Sequence, residues 1–386
     1  MSEKTASLVK TAEIEGKGRG MVATQQVKAG QIVLIDSPIL LYSAIPMKNG
    51  IYSNYCSNCF RKLNTPVPSP VVSCPSCSYH APFCSPNCRS VALSSSHSHW
   101  VCGALNYMRQ SQSQLSLDNE RQVQAYFLIA AYNLAVVSPS NFQQLLSLEG
   151  ESPSTPPDAA TLMIHSFIAF LSPPRSFAGF SLELTTALLA KDKVNAFGLM
   201  EPFSESVDRT VRAYGIYPKA SFFNHDCLPN ACRFDYVDSA AERNTDIVVK
   251  VLHDVPEGRE ICLSYFPVDE NYADRQKRLL EDYGFTCECD RCKVEMNWPD
   301  EDQDENENDE SMEEDGIENE DDFPHAYFFF RYMCDGNNCS GTLAPLPPSE
   351  EGTPSKVMEC NVCGQLKADK SFCGNGDGGE DGVVLD

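Results

Sequence analysis

Short apolar runs alternate with glycine turns over residues 11–48, and this alternation predicts short β-strands. One run, Gln31 to Ile35, follows a turn at Lys28-Ala-Gly30. A second turn, Gly16-Lys-Gly-Arg-Gly20, has glycine at alternate positions, which allows a ligand to approach the backbone closely. Because this turn lacks the Lys-Ser/Thr ending of a phosphate-binding loop, we do not predict a nucleoside triphosphate site.

Three more apolar runs lie in the second half of the chain. The segment that starts at Ser221 is predicted to begin as a strand and to break at Asn224-His225, a pair that offers hydrogen-bond donors and acceptors. The runs Ile247 to Val251 and Ile261 to Tyr265 predict two further strands, and Pro256-Glu-Gly258 supplies the turn between them.

Between the two strand-rich regions the spacing of apolar residues becomes helical. Asp118 can cap a helix that ends before Pro139, and a second helix is predicted from Asp158 through Phe170. The segment between these helices, Glu151 to Pro157, has the serine and proline content of a loop. His165 lies among apolar residues of the second helix, so we interpret it as a core histidine rather than a metal ligand.

The length of 386 residues and the hydrophobic content of 42% predict two or three folded domains. Fifteen acidic and no basic side chains occur from Asp300 to Asp322, and they account for more than half of the net charge of −24. This run is predicted to be a disordered, solubilising linker; the alternative is a tether for basic partners such as histone tails. No basic patch of the kind that binds nucleic acid is visible.

The sequence shows no secretory leader, and its most apolar stretch, Tyr126 to Val137, is too short to cross a bilayer. We therefore expect a soluble protein of the nucleus or the cytoplasm, with no membrane partner. In a reducing compartment the eighteen cysteines are expected to bind zinc rather than to form disulfides, and the Cys-x-x-Cys pairs also favour zinc.

Most of the cysteines fall into three groups. The first, over residues 56–102, provides seven cysteines together with His97 and His99, which is enough for two tetrahedral zinc ions with eight ligands. A group near the C-terminus has two close pairs about twenty residues apart, which is typical of a zinc ribbon. Its members are Cys334, Cys339, Cys360 and Cys363.

The remaining group belongs to a longer pattern, in which Asn224-His-Asp-Cys-Leu-Pro-Asn230 is followed by Tyr265 and then by Cys287, Cys289 and Cys292. This pattern resembles the SET domain of protein-lysine methyltransferases, with its NH-x-C-x-PN segment, its tyrosine and its post-SET cysteines. Asp226 stands at a position that is commonly serine. The resemblance implies that Cys227 and the three later cysteines bind one structural zinc ion, which ties the cofactor segment to the post-SET arm.

The same resemblance implies roles for the residues of a methyl-transfer site. Tyr265 is the expected catalytic residue, which orients the reacting groups. Phe197 and Tyr217 are the expected walls of a channel for the substrate lysine, although plain packing is an alternative for Tyr217. The residues expected to bind S-adenosylmethionine are Lys17, Gly18, Arg19, Asn195, Asn224, His225, Tyr283 and Phe285.

The group over residues 56–102 resembles the MYND finger, in which alternate ligand pairs share an ion. The resemblance implies that one zinc ion is bound by Cys56, Cys59, Cys84 and Cys88. The other is then bound by Cys74, Cys77, Cys102 and a histidine. The family's usual His-x-x-x-Cys spacing is absent, and His97 is preferred to His99 because it keeps the distance from Cys88 closest to that of the family.

The order of these elements resembles the SMYD family and implies an α+β fold: a β-rich SET domain with a threaded C-terminal strand and inserted finger and helices. Animal members continue into a long helical domain, whereas the acidic run and the ribbon stand in its place here, as in compact plant-type SET proteins. The implied divisions are the N-terminal part of the SET domain (1–48), MYND finger (49–104), helical insert (105–190), SET core (191–269), post-SET (270–298), acidic loop (299–323), zinc ribbon (324–368) and disordered tail (369–386).

The resemblance implies an S-adenosylmethionine-dependent enzyme that methylates lysine in a protein substrate, histone or not. It also implies about four zinc ions and protein ligands of the MYND finger. The alternative is a non-catalytic adaptor in transcription regulation that recruits partners through the finger and the acidic run. Retention of Gly18, Asn224, His225 and Tyr265 favours the enzyme, since an adaptor needs none of them.

Overall fold

The computed structural model describes residues 7–47, 54–63, 71–77, 80–111, 117–150, 156–239, 243–298 and 325–369. The predicted acidic linker, most of the loop before Asp158 and nearly all of the predicted tail lie outside these residues. The chain divides into two compact units. The first unit is Met1–Val33, Asn224–Cys232 and Lys250–Asp386, and the second unit is Leu34–Phe223 and Arg233–Val249.

Short strands and helices both contribute to the fold, as expected for the α+β class. The strands are β1 (Val9–Ile14), β2 (Gly18–Ala23), β3 (Ile32–Asp36), β4 (Leu40–Ser43), β5 (Val72–Ser73), β6 (Pro82–Phe83), β7 (Ala196–Met200), β8 (Val211–Ile216), β9 (Ala231–Asp235), β10 (Ile247–Val251), β11 (Glu260–Ile261), β12 (Leu343–Pro345), β13 (Val357–Cys360) and β14 (Leu366–Ala368). The helices are α1 (Pro86–Ser94), α2 (His99–Gln110), α3 (Asn119–Val137), α4 (Pro139–Ser147), α5 (Ala159–Phe170), α6 (Leu182–Asn195), α7 (Tyr272–Arg278), α8 (Asp290–Glu295) and α9 (Ala326–Tyr332). Among the described residues, none of the helices combines the length and the hydropathy that crossing a bilayer requires.

In the first unit, β2 pairs antiparallel with both β1 and β11. The turn between β1 and β2 places Gly16 and Gly18 at φ of 74° and 71°, a left-handed conformation that favours glycine. Gly20 is needed for a different reason, because a Cβ there would lie 2.8 Å from Asn224 Nδ2 and 2.8 Å from Glu260 Oε1. The glycine-rich turn therefore leads into a strand that packs tightly against the Asn224 segment.

The C-terminal ribbon, in which β13 pairs with β12 and β14, also belongs to the first unit. A Cβ at Gly30 would collide with the backbone oxygen of Leu346, so the ribbon lies directly on the turn that precedes β3. Lys250, at the end of β10, makes a buried ion pair with Glu359 of β13 at 2.5 Å. The ribbon is thus packed against the strand-rich part of its unit.

The second unit has its core around α3, which packs against α2, α4, α5, α6 and β4. The two predicted helices start where the sequence places them. Asp118 Oδ1 accepts from the Arg121 N–H at 2.8 Å, and Asp158 Oδ1 accepts from the Thr161 N–H at 2.7 Å. His165 has the predicted packing role: its ring stacks on Phe180 with 4.6 Å between centroids.

A buried arginine and its carboxylate partner join the finger to the sheet β4-β8-β7 of the second unit by hydrogen bonds. Arg212 of β8 is almost completely buried and donates to Glu201 at 2.8 Å and to Asp238 at 2.9 Å. The same guanidinium donates to the Phe60 carbonyl at 3.0 Å, and the Tyr55 hydroxyl donates to Glu201. The finger therefore packs firmly against this sheet.

Two strand predictions are wrong or too long. Residues Ala220–Phe222 form a turn of 3-10 helix instead of the predicted strand. The N–H groups of Lys219 and Ala220 donate to the buried carboxylate of Asp36 at 2.8 and 2.9 Å, which holds the chain in a turn. The strand predicted from Ile261 to Tyr265 is limited to β11 and an isolated bridge between Leu263 and His225, so Tyr265 follows the strand.

Candidate functional site

Several aromatic side chains of the first unit surround His225. The ring centroid of His225 lies 5.2 Å from that of Tyr265 and 6.5 Å from that of Phe285. The ring centroids of Tyr283 and Tyr265 lie 4.8 Å apart. The structure therefore brings together four predicted site residues that are up to sixty positions apart in the sequence. Phe285 remains 38% exposed, so the group has an open aromatic face.

The protonation of His225 follows from its contacts. The side chain is only 4% exposed, and burial lowers the pKa of His225 to about 3, so the ring is neutral at pH 7. Its Nδ1 accepts a hydrogen bond from the Tyr265 N–H at 3.2 Å, which assigns the ring proton to Nε2. Nε2 lies 3.2 Å from Cys227 Sγ and can donate to it. His225 thus connects the backbone of Tyr265 to a predicted zinc ligand.

The glycine-rich turn is joined to the same segment by Glu260, a residue that belongs to none of the sequence motifs. The Glu260 carboxylate accepts from Lys17 Nζ at 3.0 Å and from Asn224 Nδ2 at 2.8 Å. Burial alone would lower the pKa of Lys17, but the hydrogen bond to Glu260 and nearby acidic groups raise it. The predicted donor-binding residues Lys17 and Asn224 are therefore held at one carboxylate, with Gly18 and Arg19 next to Lys17 at the start of β2.

The other three predicted residues lie in the second unit. Asn195 is buried, and its amide group donates to the carbonyls of Glu149 and Lys191, each at 2.8 Å. Phe197 and Tyr217 make an edge-to-face pair with 5.5 Å between centroids, and the Tyr217 hydroxyl donates to the Thr245 carbonyl at 2.5 Å. Their roles at the donor and in the lysine channel stay predictions.

Among the residues that the structure describes, four groups of side chains could each hold a metal ion, since the ligand atoms within each group lie within 4.8 Å of one another. Three or four thiolates at this spacing suit tetrahedral zinc. His97 rather than His99 is in the second group, where its Nε2 lies 3.8 Å from Cys77 Sγ. The groups are Cys56, Cys59, Cys84 and Cys88; Cys74, Cys77, His97 and Cys102; Cys227, Cys287, Cys289 and Cys292; and Cys334, Cys339, Cys360 and Cys363.

A buried arginine lies against the third of these groups. Arg275 Nε is 3.3 Å from Cys227 Sγ, and Arg275 Nη2 is 3.7 Å from Cys292 Sγ. Four thiolates around one zinc ion carry a net negative charge, and a buried guanidinium offsets it. Arg275 also donates to Glu295 at 2.5 Å, and Glu295 accepts from Arg291 at 2.6 Å.

This ionic triad, Arg275, Arg291 and Glu295, reaches the segment that follows Tyr265. Arg291 Nη1 donates to the Val268 carbonyl at 2.6 Å, and Arg275 Nη1 donates to the Glu270 carbonyl at 2.7 Å. The triad was not predicted because α7 and α8 are rich in charged residues and look like solvated surface helices. Its contacts depend on a tertiary approach that no local pattern encodes.

Comparison with known proteins agrees with this geometry. The family model for the SET domain matches residues 18–266, which is more than half of the chain. The protein belongs to the SET-domain family. This SET protein is 53% identical to a protein of Arabidopsis thaliana named histone-lysine N-methyltransferase ASHR2, over 95% of this chain and 97% of that protein.

More distant relatives of this SET protein differ in length. It is 24% identical to histone-lysine N-methyltransferase ATXR4 of Arabidopsis thaliana, over 72% of this chain and 84% of that protein. It is 23% identical to human histone-lysine N-methyltransferase SMYD1, over 73% of this chain but only 55% of that protein. The full-length match to the first relative agrees with the predicted compact plant-type form.

We predict that the purified SET protein contains four zinc ions per chain. Each group should contribute to the free energy of folding, so a strong chelator should unfold the module that the group holds. Elemental analysis measures the count, and circular dichroism follows the unfolding. A count of two ions or fewer would contradict the prediction.

Proposed function

We propose that this protein is an S-adenosylmethionine-dependent protein-lysine N-methyltransferase. The observation that carries the proposal is the convergence of His225, Tyr265, Tyr283 and Phe285 in a protein of the SET-domain family. A relative of 53% identity and a more distant one are both named histone-lysine N-methyltransferases, which makes a histone lysine the first substrate to test. A nuclear or cytoplasmic location and protein ligands of the MYND finger stay predictions.

The residues present suit the methyl donor. When bound, S-adenosylmethionine supplies a methyl group on a positively charged sulfur. The faces of aromatic rings attract such a cation. The adenine of the donor could stack on the partly exposed ring of Phe285, which lies beside Tyr283. The neutral ring of His225 adds no repelling positive charge. Lys17 and Asn224 both bond to Glu260 of the same unit, Gly18 follows Lys17, and these three residues would hold the donor's polar groups.

The acceptor must lose a proton before it can react. A free lysine has a pKa of about 10.4, so its neutralisation at pH 7 costs on the order of 4 to 5 kcal/mol. An apolar channel lowers this cost because burial disfavours the charged amine. Burial also raises the pKa of Tyr265, so its hydroxyl keeps its proton at pH 7 and orients the reacting groups rather than acting as a base.

A transfer assay with labelled donor tests the proposal. The protein is incubated with histones and, separately, with histones whose lysine amines have been acetylated. We expect label in the untreated histones and a loss of most of it after acetylation, because an acetylated amine is not a nucleophile. Total cell extract, untreated and acetylated, serves as the second substrate pool.

Two results would contradict the proposal. If acetylation leaves the incorporation unchanged, lysine is not the acceptor. If neither histones nor extract become labelled when they are incubated with the zinc-loaded protein and the labelled donor, the adaptor function explains the protein better. Mass spectrometry of the labelled product then identifies the modified lysine and the number of methyl groups.

A further inference from the structure

The short segment from Gly284 to Cys287 carries Phe285 away from the end of a helix. Helix α7 continues into a π-helical turn over Leu279–Tyr283, and Gly284 follows that turn with φ of 78°, a left-handed conformation that favours glycine. The Phe285 N–H donates to the Leu279 carbonyl at 3.3 Å. The first part of the segment is therefore fixed to the turn from which it leaves.

Gln276, in α7, holds the other end of this segment through its side-chain amide. Gln276 Nε2 donates to the Cys287 carbonyl at 2.8 Å, and the Cys287 N–H donates to Gln276 Oε1 at 3.0 Å. One amide group thus pairs with both polar groups of a single backbone residue, as a neighbouring antiparallel strand would. Because a carbonyl only accepts and an N–H only donates, the two bonds also determine which way round the amide lies.

The helix that carries Gln276 is itself well anchored. Asn271 Oδ1 accepts from the Asp274 N–H at 2.9 Å and caps the start of α7. The neighbouring residue Arg275 is buried against the thiolates of the third zinc group. A functional group is positioned more precisely by a helix than by a loop, so α7 gives the amide of Gln276 a fixed place.

The amide and the zinc group restrain Cys287 in different ways. Cys287 binds the metal through its sulfur, and rotation about its side-chain bonds allows more than one backbone direction for the same sulfur position. Two hydrogen bonds to the N–H and the carbonyl fix the backbone itself. Phe285 lies two residues earlier, with its partly exposed ring 6.5 Å from His225 between centroids. The place of that ring therefore depends on the amide as well as on the metal.

We propose that Gln276 is a positioning residue for the methyl donor, which sets the path of the backbone so that the Phe285 ring faces the adenine. This assignment rests on the proposed function, because Phe285 is a predicted donor residue. Gln276 acts through Phe285 rather than by contact with the reacting groups. Its loss should weaken the ground state and the transition state equally, so the KM for the donor rises while kcat is unchanged.

Calorimetric titration of the full-length, zinc-loaded protein with S-adenosylhomocysteine tests the assignment. Gln276→Met keeps the length of the side chain and removes both hydrogen bonds. We expect roughly tenfold weaker binding at wild-type zinc content, because both bonds are lost and each contributes modestly. Gln276→Glu keeps an acceptor for the Cys287 N–H but loses the donor to the carbonyl, so it should also bind more weakly.

Gln31→Met is the matched control for Gln276→Met. Gln31 belongs to the same unit and is also partly buried, and its Oε1 accepts from the backbone N–H of Lys28 at 2.7 Å. The turn that it supports precedes β3 and contains none of the predicted donor residues. We expect Gln31→Met to bind S-adenosylhomocysteine like the wild type.

A double-mutant cycle separates positioning from general support of the fold. In a Phe285→Ala background, Gln276→Met should weaken binding less than about twofold further, because the ring through which it acts is gone. A residue that only stabilised the unit would cause the same loss in both backgrounds. Steady-state kinetics of Gln276→Met should show the higher KM for the donor at an unchanged kcat.

The outcomes distinguish this assignment from the proposed function. If the wild type and Gln276→Met bind equally, Gln276 has no positioning role and the proposed function stands. A tenfold loss that persists in the Phe285→Ala background, or a loss of zinc from Gln276→Met, would show that the amide supports the fold or the metal group, and would overturn the assignment. If the wild type itself does not bind S-adenosylhomocysteine, the proposed function is contradicted and the assignment fails with it.

Discussion

Replacing Tyr265 by phenylalanine is expected to lower the rate of methyl transfer roughly 100-fold, with little change in donor binding. The change removes one hydroxyl and keeps the ring. Loss of a single positioned donor in the reacting complex commonly costs a factor of about 10² to 10³ in turnover. The backbone of Tyr265 is held by His225, and its ring packs on Tyr283, so the remaining contacts survive. Steady-state kinetics measures the rate, and titration with S-adenosylhomocysteine measures binding.

A second tyrosine of the same unit provides the control. Tyr327 is 56% exposed on α9, and Tyr327→Phe also removes one hydroxyl. We expect its turnover to equal that of the wild type. If Tyr265→Phe stays within about threefold of the wild type, which is less than 1 kcal/mol of barrier, the hydroxyl has no role in catalysis.

Local signals predicted those features that depend on residues close together in the sequence. Asp118 and Asp158 mark the starts of α3 and α5 because an N-cap needs only a side-chain oxygen and the N–H three residues later. The close pairs of cysteines in the zinc groups were likewise predictable, because the two members of each pair are only a few residues apart in the sequence. The grouping of Cys227 with cysteines some sixty residues later required the resemblance to a known family.

Tertiary contacts decided the features that the sequence did not predict. The turn at Ala220–Phe222 replaces a strand because Asp36, far away in the chain, accepts from two consecutive N–H groups there. Glu260 follows a turn and looks like an ordinary exposed residue in the sequence, yet it joins Lys17 to Asn224. Arg275 is completely buried although its neighbours in α7 are charged, because the thiolates of the zinc group lie beside it.

Replacing Cys227 by serine is expected to weaken the binding of S-adenosylhomocysteine roughly tenfold or more, because loss of even an outer-shell partner of a metal ligand typically costs about 10- to 100-fold in metal affinity or activity. Cys227 lies at the meeting point of two sets of contacts. His225 Nε2 faces its sulfur at 3.2 Å, and Arg275 Nε approaches the same atom at 3.3 Å. Without the thiolate, the post-SET arm that carries Phe285 loses its anchor to the segment that carries His225.

Replacing His225 by alanine changes the predicted donor site more directly than replacing Cys227. His225→Ala leaves the four zinc ligands intact but removes the ring that packs beside Tyr265 and Phe285. It should therefore weaken donor binding while the zinc content stays at the wild-type level. Cys227→Ser should lower both quantities together.

Cys56→Ser is the matched control for Cys227→Ser, because both cysteines are completely buried and each belongs to a four-ligand group. Cys56 lies in the second unit, whereas His225, Tyr265 and Phe285 lie in the first. Elemental analysis should show the loss of one zinc ion from each cysteine variant, but only Cys227→Ser should lose affinity for S-adenosylhomocysteine in calorimetric titration. If Cys56→Ser abolishes binding while the first unit stays folded, or Cys227→Ser binds like the wild type, the post-SET zinc group does not support the donor site.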